Sequence, residues 1–389
     1  MNVIYTAPNR AHHYKYAEAL QDGGILSSFV SGFSRFSSLS NLDSVGDKLH
    51  RVDILQNVFL ASLRMKMPNY ISEHLAYLAK IEQDNASSKY IKNADVFMFY
   101  NGSGLNTCKK IQKAGGIGIV EAVNSHVQFQ EDILKREFEK LNLPWEPFHQ
   151  KEKARRIEEY HQADYILLPS EFAKRSFMEF GFPESKLIKV PYGFNTNSVL
   201  NKGIGSPVDP IIRKENFTVL YVGSISVRKG LRYLIEGFKK LKHPNKKLIL
   251  VGPVYTPDGL SGVSITSDIV FKGVLKGADL NEVYQSANVF CLPSIEEGFG
   301  LVLGEALSFG VPLISTSHTG AFEIMEDGIE GFIIPPQDSE SFRDRLQQLA
   351  DEPELLYKMK MACLTKAASL KGWDETGKLL VSSLLKVKP

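Results

Sequence analysis

The sequence has few cysteines and no long apolar run. Its 389 residues include three cysteines, Cys108, Cys291 and Cys363, which lie far apart and form no Cys-x-x-Cys pair. Neither a disulfide framework nor a cysteine-based zinc site is indicated. No apolar run approaches the roughly 18 residues of a membrane span, and residues 1–5 lack the basic flank and apolar core of a secretory signal. We therefore expect a cytoplasmic protein.

Charge of either sign is not in excess. The chain carries 46 Lys and Arg against 44 Asp and Glu, and its charged and hydrophobic fractions of 23% and 43% are those of an ordinary globular protein. Disorder and a dedicated nucleic-acid-binding surface are both disfavoured. At roughly 100 to 200 residues per domain, the chain is long enough for two domains.

Short β-branched apolar segments alternate with longer amphipathic ones along the chain. This alternation is typical of parallel strands joined by helices. Residues 200–215 interrupt it, because they are rich in Gly, Pro, Asn and Asp. We predict two doubly wound α/β domains, residues 1–200 and 201–372, that face each other across a cleft. Strands are predicted at residues 2–5, 96–100, 117–120, 165–168 and 187–190, then at 218–222, 247–251, 269–271, 289–292 and 312–315.

The most informative motif is a glycine-containing loop after a predicted strand of the second domain. It contains Glu297, Gly298 and Gly300 and leads into a helix that we expect to end near Phe309. Backbone N–H groups at the helix start, unobstructed by Cβ atoms at the two glycines, suit an anionic or oxygen-rich ligand. Glu305 lies roughly two turns farther along, so two carboxylates can hold different hydroxyl pairs of one ligand. The alternative is a plain turn with a helix-capping glutamate.

This pattern, a Glu-x7-Glu spacing built around Glu-Gly-Phe-Gly, resembles glycosyltransferase family 4. Residues 221–223 and 228–230 are similar to the diphosphate-binding segment of that family. The similarity spans about residues 95 to 375. Further segments that resemble the family are residues 163–165, 169–172, 191–193 and 331–336.

The resemblance implies a GT-B fold enzyme with two Rossmann-like domains. The N-terminal domain would bind the acceptor, and the C-terminal domain would bind a nucleotide-activated sugar. Transfer would retain the anomeric configuration and need no bound metal. The sequence contains no Asp-x-Asp triplet, which argues against the metal-bridged alternative architecture. We therefore expect no cofactor beyond the nucleotide-sugar co-substrate.

The resemblance also assigns the donor site residue by residue. Glu305 is expected to hold the ribose hydroxyls, and the turn that contains Val274 is expected to contact the base. Glu297 and the backbone of residues 299–301 are expected to meet the donor sugar. The full donor-binding set implied in this way is Gly223, Ser224, Arg228, Lys229, Val274, Gly298, Phe299, Gly300, Leu301 and Glu305.

Two adjacent cations, Arg228 and Lys229, follow the glycine turn of the diphosphate-binding segment. Without a metal, cations and N–H groups must neutralise the charge that grows on the leaving diphosphate. Many family members carry arginine directly after the glycine that corresponds to Gly223, whereas this chain has Ser224. Arg228 is expected to supply the missing charge. Taken alone, an Arg-Lys pair is more often a solvated surface.

In the first domain, His126 follows the end of a predicted strand and is expected to project into the cleft. It aligns with a Ser-His element in a subset of the family, whose histidine lies close to the reacting sugar. With Glu297, Arg228 and Lys229 it makes up the predicted catalytic set. The alternative is a histidine that serves packing.

The loop after the first strand lacks the paired glycines that many family members place near the phosphates. Arg10, His12 and His13 stand there instead. They either compensate for the glycines, bind the acceptor, or form a plain loop before a helix that begins near Tyr14.

Two other segments bear on partners. Residues 57–80 mix Leu, Phe, Met and Tyr with basic residues at partly helical spacing, which indicates a helix packed on the core or a peripheral contact with the inner face of the membrane. Residues 373–389 are predicted to form a helix that crosses back onto the first domain.

The resemblance predicts a hexosyltransferase that uses UDP-glucose or a similar UDP-sugar, the uridine being inferred from family frequency. Its acceptor would be a hydroxyl of a saccharide or lipid-linked molecule in polysaccharide or glycolipid synthesis. The alternatives are an inactive nucleotide-sugar-binding partner subunit and an epimerase or hydrolase of the same fold. A dinucleotide oxidoreductase is disfavoured, because no Gly-x-Gly-x-x-Gly follows a strand.

Overall fold

The chain folds into two α/β domains, each built on one parallel sheet. The computed structural model describes residues 1–194, 216–254, 257–370 and 372–388. All described strand pairs are parallel, and helices or loops make the crossovers between them. The predicted fold of two doubly wound domains is confirmed. Residues 200–215 lie outside the described residues, so the predicted domain limits stay predictions.

The first domain has a seven-stranded sheet with the order β3-β2-β1-β4-β5-β6-β7. Its strands are β1 (Val3–Ala7), β2 (Leu26–Ser31), β3 (Leu49–Arg51), β4 (Val96–Tyr100), β5 (Ile117–Glu121), β6 (Tyr165–Leu168) and β7 (Leu187–Lys189). Its helices are α1 (His13–Asp22), α2 (Ile54–Arg64), α3 (Asn69–Ser87), α4 (Leu105–Lys113), α5 (Val127–Lys140), α6 (Gln150–Gln162) and α7 (Glu171–Glu179).

The second domain has a six-stranded sheet with the order β10-β9-β8-β11-β12-β13. Its strands are β8 (Phe217–Val222), β9 (Lys246–Val251), β10 (Ile269–Gly273), β11 (Val289–Leu292), β12 (Leu313–Thr316) and β13 (Gly331–Ile334). The helices after β8 are α8 (Leu231–Lys240), α9 (Gly277–Ser286), α10 (Leu301–Ser308), α11 (Ala321–Ile324), α12 (Ser339–Asp351), α13 (Pro353–Ser369) and α14 (Trp373–Leu384).

The strand order of each sheet reverses at one point, between β1 and β4 in the first sheet and between β8 and β11 in the second. Strands β1 and β11 are buried along their whole length, because helices cover both faces of the sheet. Ligands of such sheets bind beyond the carboxyl ends of the strands at the reversal. The loops after β1, β4, β8 and β11 are therefore where a site is expected.

The last helix, α14, packs on α1 of the first domain. Leu380 and Leu384 are fully buried, and a Cβ on Gly377 would lie 2.5 Å from the Cβ of Ala19. Thr376 Oγ1 also donates to the carbonyl oxygen of Pro191 at 3.2 Å. The chain thus returns to the first domain after completing the second.

Within the described ranges, no helix is both long enough and apolar enough to cross a bilayer.

Candidate functional site

A cavity of about 360 Å³ lies between the domains, at the strand ends where both sheets reverse. We call it the cleft cavity. The first domain contributes the loop after β1, and the second contributes the loops after β8 and β11. Its lining includes Asn9, His12, His13, Tyr100, Asn124 and Tyr192 from the first domain and Gly223, Lys229, Glu297, Phe299, Gly300 and Leu301 from the second.

The start of α10 forms one wall of the cleft cavity. Gly300 precedes the helix with φ 86°, a left-handed conformation that glycine adopts without strain. The backbone N–H groups of Phe299, Gly300 and Leu301 have no partner in the described parts of the chain. Such unpaired donors at a helix start suit an anion or a carbonyl or hydroxyl oxygen.

A lysine and a glutamate meet beside this helix start. Lys229 Nζ donates a hydrogen bond to Glu297 Oε2, and both residues line the cleft cavity. Burial and the neighbouring Arg228 lower the pKa of Lys229 to about 7. A negatively charged group that enters the cavity would therefore favour the protonated ammonium.

The second predicted cation, Arg228, faces a different carboxylate. Its Nη1 donates to the carbonyl oxygen of Glu296 at 2.9 Å and to Glu296 Oε2 at 3.2 Å, and it is 3.6 Å from Glu297 Oε2. Arg228 does not line the cleft cavity. Its contact with Glu296 holds the loop that carries Glu297.

Glu296 connects the two domains, and sequence reasoning missed it. Its side chain is fully buried. Ser125 Oγ donates to Oε1 at 2.8 Å, and Gln130 Nε2 donates to Oε2 at 2.7 Å. The position of Glu296 beside Glu297 could have drawn attention to it. Its hydrogen-bond partners, however, lie more than 150 residues away in the sequence, and no local pattern indicates them.

Glu305 lies in an adjoining cavity of about 260 Å³, which we call the helix-side cavity. Tyr284 OH donates to Glu305 Oε2 at 2.9 Å. The lining also includes Asn281, Ser308 and Leu301. Leu301 lines both cavities, so Glu297 and Glu305 face two neighbouring spaces along one helix.

The His126 ring does not line the cleft cavity, which corrects the expectation that it projects into the cleft. The ring is stacked on Phe180 with centroids 4.2 Å apart and also contacts Tyr160 and Phe177. Nδ1 caps α5 by accepting from the backbone N–H of Gln128 at 3.3 Å. Burial lowers the pKa of His126 to about 4. The strand end was correctly predicted, but the ring turns away from the cleft into this aromatic cluster.

The remaining predicted donor residues differ in their placement. Gly223 lines the cleft cavity, whereas Val274 is 59% exposed and lines neither of the two cavities. The carbonyl oxygen of Ser224 accepts from Tyr221 OH at 2.6 Å. Gly298 packs against the first domain, where an added Cβ would lie 1.9 Å from the carbonyl oxygen of Val123. The glycine thus allows the two domains to meet at this point.

On the opposite wall, His12 and His13 meet Glu121 at the end of β5. His12 Nε2 contacts Glu121 Oε1, and His13 Nδ1 is 3.3 Å from Oε2. These three residues are the one group among the described residues whose donor atoms are close enough to hold a metal ion. Arg10 is exposed and lies over the Tyr14 ring, outside the cleft cavity.

Hydrogen bonds already occupy this group. Tyr5 OH donates to Glu121 Oε2 at 2.7 Å and lies 2.6 Å from His13 Nδ1. Tyr5, His12 and His13 thus form a hydrogen-bonded network around Glu121. Sequence reasoning singled out the two histidines but not their carboxylate partner.

Comparison with known proteins relates the second domain to glycosyltransferases. Residues 207–363 match the family model Glycosyl transferases group 1. An uncharacterised glycosyltransferase of Methanocaldococcus jannaschii is 27% identical over 192 residues, 47% of this chain and 49% of that protein. The capsular polysaccharide biosynthesis glycosyltransferase CapM of Staphylococcus aureus is 32% identical over 150 residues, 36% of this chain and 38% of that protein. The chain thus spans about half or less of the length of these relatives.

The solved structures show the fold. Anabaena HepE in complex with UDP superposes with a TM-score of 0.67, at 15% identity and with 100% of both chains covered. HepE has also been solved with UDP-glucose. The fold of this chain is GT-B, two parallel sheets with flanking helices.

Proposed function

We propose that this protein is a retaining glycosyltransferase that moves a hexose from a UDP-sugar to a hydroxyl of a saccharide or lipid-linked acceptor. The observation that carries the proposal is the start of α10, where unpaired N–H groups and the Lys229–Glu297 pair line one interdomain cavity beside the cavity that holds Glu305. The match to the group 1 model over residues 207–363 supports it.

The proposed donor position follows from the charges. The diphosphate lies against the N–H groups of Gly300 and Leu301 and the ammonium of Lys229, because these are the cationic and donor groups of the wall. Glu305 receives the ribose hydroxyls in the helix-side cavity. Glu297, which accepts a hydrogen bond from Lys229 in the unliganded protein, then accepts hydrogen bonds from hydroxyls of the donor sugar.

The proposed transfer needs no metal and proceeds on one face of the sugar. The leaving phosphate takes the proton of the acceptor hydroxyl, while Lys229 and the helix start stabilise the diphosphate. Glu121, the carboxylate that His12 contacts behind the opposite wall, already accepts hydrogen bonds from Tyr5 and His12, which disfavours it as a covalent nucleophile.

The acceptor class is suggested by the relatives. CapM is named for capsular polysaccharide biosynthesis, and a lipopolysaccharide 1,2-N-acetylglucosaminetransferase of Salmonella typhimurium is 29% identical over 204 residues. We infer a role of this chain in polysaccharide or glycolipid synthesis in the cytoplasm.

Exposed apolar residues of α2, of the turn after it and of the start of α3 support a contact with the inner membrane face. Ile54, Met65 and Tyr70 are 68%, 73% and 71% exposed, and Ser62 is the one buried residue of α2. This exposure favours the membrane contact over an apolar face of α2 packed on the core. Residues 54–72 contain no Asp or Glu but carry Arg64 and Lys66, a combination that favours an anionic bilayer.

Vesicle sedimentation tests this contact. The protein should bind vesicles that contain phosphatidylserine more strongly than pure phosphatidylcholine vesicles. The Met65→Ser variant should bind several-fold less, since an exposed Met contributes about 1 to 2 kcal/mol on insertion. Leu385→Ser, at an exposed apolar position on the C-terminal segment, is the control. Equal binding by both variants would contradict the contact.

The function is tested with a panel of labelled UDP- and GDP-sugars. A transferase should slowly release free sugar and UDP from one donor in the absence of acceptor. Binding without turnover would indicate the inactive partner subunit, and an isomerised donor would indicate an epimerase. Absence of binding to every donor would contradict the proposal.

A further inference from the structure

The first-domain wall of the cleft cavity contains a histidine whose tautomer is fixed by its neighbours. Burial would raise the pKa of Glu121, but the contact with His13 and the hydrogen bond from His12 outweigh it and hold that pKa well below its usual range. Glu121 is therefore ionised and can only accept hydrogen bonds. The Nε2 atom of His12 contacts Glu121 Oε1 and so must carry the proton.

The other ring nitrogen of His12 then carries a lone pair. Burial and His13 lower the pKa of His12 to about 4, although Glu121 opposes the shift, so the ring is neutral at neutral pH. A neutral imidazole with its proton on Nε2 accepts at Nδ1. No hydrogen bond among the described residues uses Nδ1, and the residue lines the cleft cavity.

A tyrosine ring with an unpaired hydroxyl is stacked on the His12 ring. The ring of Tyr192 is stacked on that of His12 with centroids 4.2 Å apart. Tyr192 is 8% exposed, and its hydroxyl is buried with no hydrogen-bond partner among the described residues. An unpaired buried hydroxyl lowers the stability of a folded protein, so one beside a cavity indicates a group that a bound ligand can satisfy.

These two groups lie next to the proposed donor site. Tyr192 contacts Phe299 with ring centroids 5.2 Å apart, and Phe299 immediately precedes the helix start. His12, Tyr192 and Phe299 all line the cleft cavity. A group that contacts both His12 and Tyr192 is therefore within reach of a sugar held at the helix start.

We propose that His12 Nδ1 and the Tyr192 hydroxyl together bind the attacking hydroxyl of the acceptor. A hydroxyl is both donor and acceptor. Before transfer it donates to His12 Nδ1 and accepts from Tyr192 OH, which leaves its second lone pair for the donor sugar. As the new bond to the sugar forms, the proton passes from this hydroxyl to the leaving phosphate, and His12 stays neutral. Glu121 is a positioning residue, because it fixes the tautomer without touching the acceptor. The assignment rests on the proposed function and extends it to the first domain.

Two substitutions at His12 test the roles of its two ring nitrogens separately. His12→Gln keeps an N–H near the position of Nε2 and loses the acceptor at Nδ1, whereas His12→Asn keeps an oxygen near Nδ1 and loses the contact with Glu121. Water serves as the acceptor, and the donor is the UDP-sugar of the panel that turns over fastest. Its hydrolysis rate at saturation should fall about tenfold in His12→Gln and by less than about threefold in His12→Asn.

Tyr192→Phe is the complementary test, because it removes the oxygen and keeps the ring. The hydrolysis rate should fall about tenfold, while the melting temperature stays equal or rises, since the lost hydroxyl has no protein partner among the described residues. UDP affinity should change less than twofold in these variants. Unchanged rates in His12→Gln and Tyr192→Phe, with an active wild type, would overturn the inference and leave the proposed function standing.

The tautomer is measured independently of turnover by ¹⁵N NMR of histidine-labelled protein. His12 should show a protonated Nε2 and an unprotonated Nδ1, and Glu121→Gln should shift proton occupancy toward Nδ1. A proton on Nδ1 in the wild type would overturn the inference even if no UDP-sugar is turned over. A stoichiometric metal ion bound by His12, His13 and Glu121, removed by a chelator together with activity, would overturn it as well.

Discussion

The two walls of the cleft cavity are built in different ways. The second-domain wall comes from two short stretches, residues 222–229 and 297–302, each contributed by one strand-end loop. The first-domain wall includes His12, Tyr100 and Tyr192, which are far apart in the sequence, and Glu121 contacts His12 from behind it. A wall made from contiguous motifs is visible in one sequence, whereas a wall made by tertiary contacts is not.

The difference extends to the chemistry. The second-domain wall presents N–H groups and the Lys229 ammonium, which suit phosphate oxygens. The first-domain wall presents a neutral imidazole and a phenol hydroxyl, which suit a sugar hydroxyl. We infer that the second wall decides donor binding and the first decides acceptor use. Substitutions in the two walls should therefore have separable effects.

The largest effect is expected for Lys229→Ala. Turnover of a UDP-sugar should fall on the order of 100-fold, because this removes the cation of the diphosphate site. Steady-state release of UDP measures it. The control is Lys239→Ala on the exposed side of α8, which should retain wild-type turnover. If Lys229→Ala retained it too, the diphosphate would not lie at this wall.

Next in size is the effect of Glu305→Ala. UDP affinity should fall roughly tenfold, as expected for the loss of charge-assisted hydrogen bonds to ribose hydroxyls. Calorimetric titration with UDP measures the change, and Glu354→Ala, at an exposed site on α13, serves as the control. An unchanged affinity for UDP would show that the ribose lies outside the helix-side cavity.

A smaller effect is expected from pH. Because the pKa of Lys229 is about 7 in the unliganded protein, UDP should raise it and binding should take up protons above pH 7. Below pH 6 the lysine is already charged, so this uptake should vanish. Calorimetry in two buffers of different ionisation enthalpy measures the uptake. Lys229→Arg should lack it, since arginine stays charged; equal uptake in both proteins would assign the protons elsewhere.

The smallest effect on turnover is expected at His126. Since its ring fills an aromatic cluster, His126→Ala should lower the free energy of unfolding by about 2 to 3 kcal/mol. His126→Phe should lose less. Both variants should keep turnover within about threefold once folded. Denaturant unfolding and UDP release measure the two quantities, and a large loss of turnover in stable His126→Phe would restore the active-site role.

Much of the fold was predictable, for a physical reason. The central strands are buried on both faces, so they appear as continuous apolar segments such as residues 96–100. Strand β2 was not predicted, because Leu26–Ser31 contains three serines. Strand β3 is only three residues long. Such peripheral strands are defined by their neighbours in the sheet more than by their own sequence.

The site was predictable only in part. Lys229, Glu297 and Glu305 line the two cavities as their motifs indicated. The orientation of the His126 ring depends on Phe180 and Phe177 in another helix region, and the partner of His12 is 109 residues away. Side-chain direction and long-range pairing arise from packing, which one sequence without its fold does not display.

The most direct test of the account is a titration of the protein with UDP in excess chelator, followed by turnover of the UDP-sugar that the panel identifies. We expect the affinity for UDP and the turnover of the UDP-sugar to be unchanged by the chelator, and both to fall in Lys229→Ala. Loss of turnover in the chelator, with recovery on adding Mg²⁺, would contradict it.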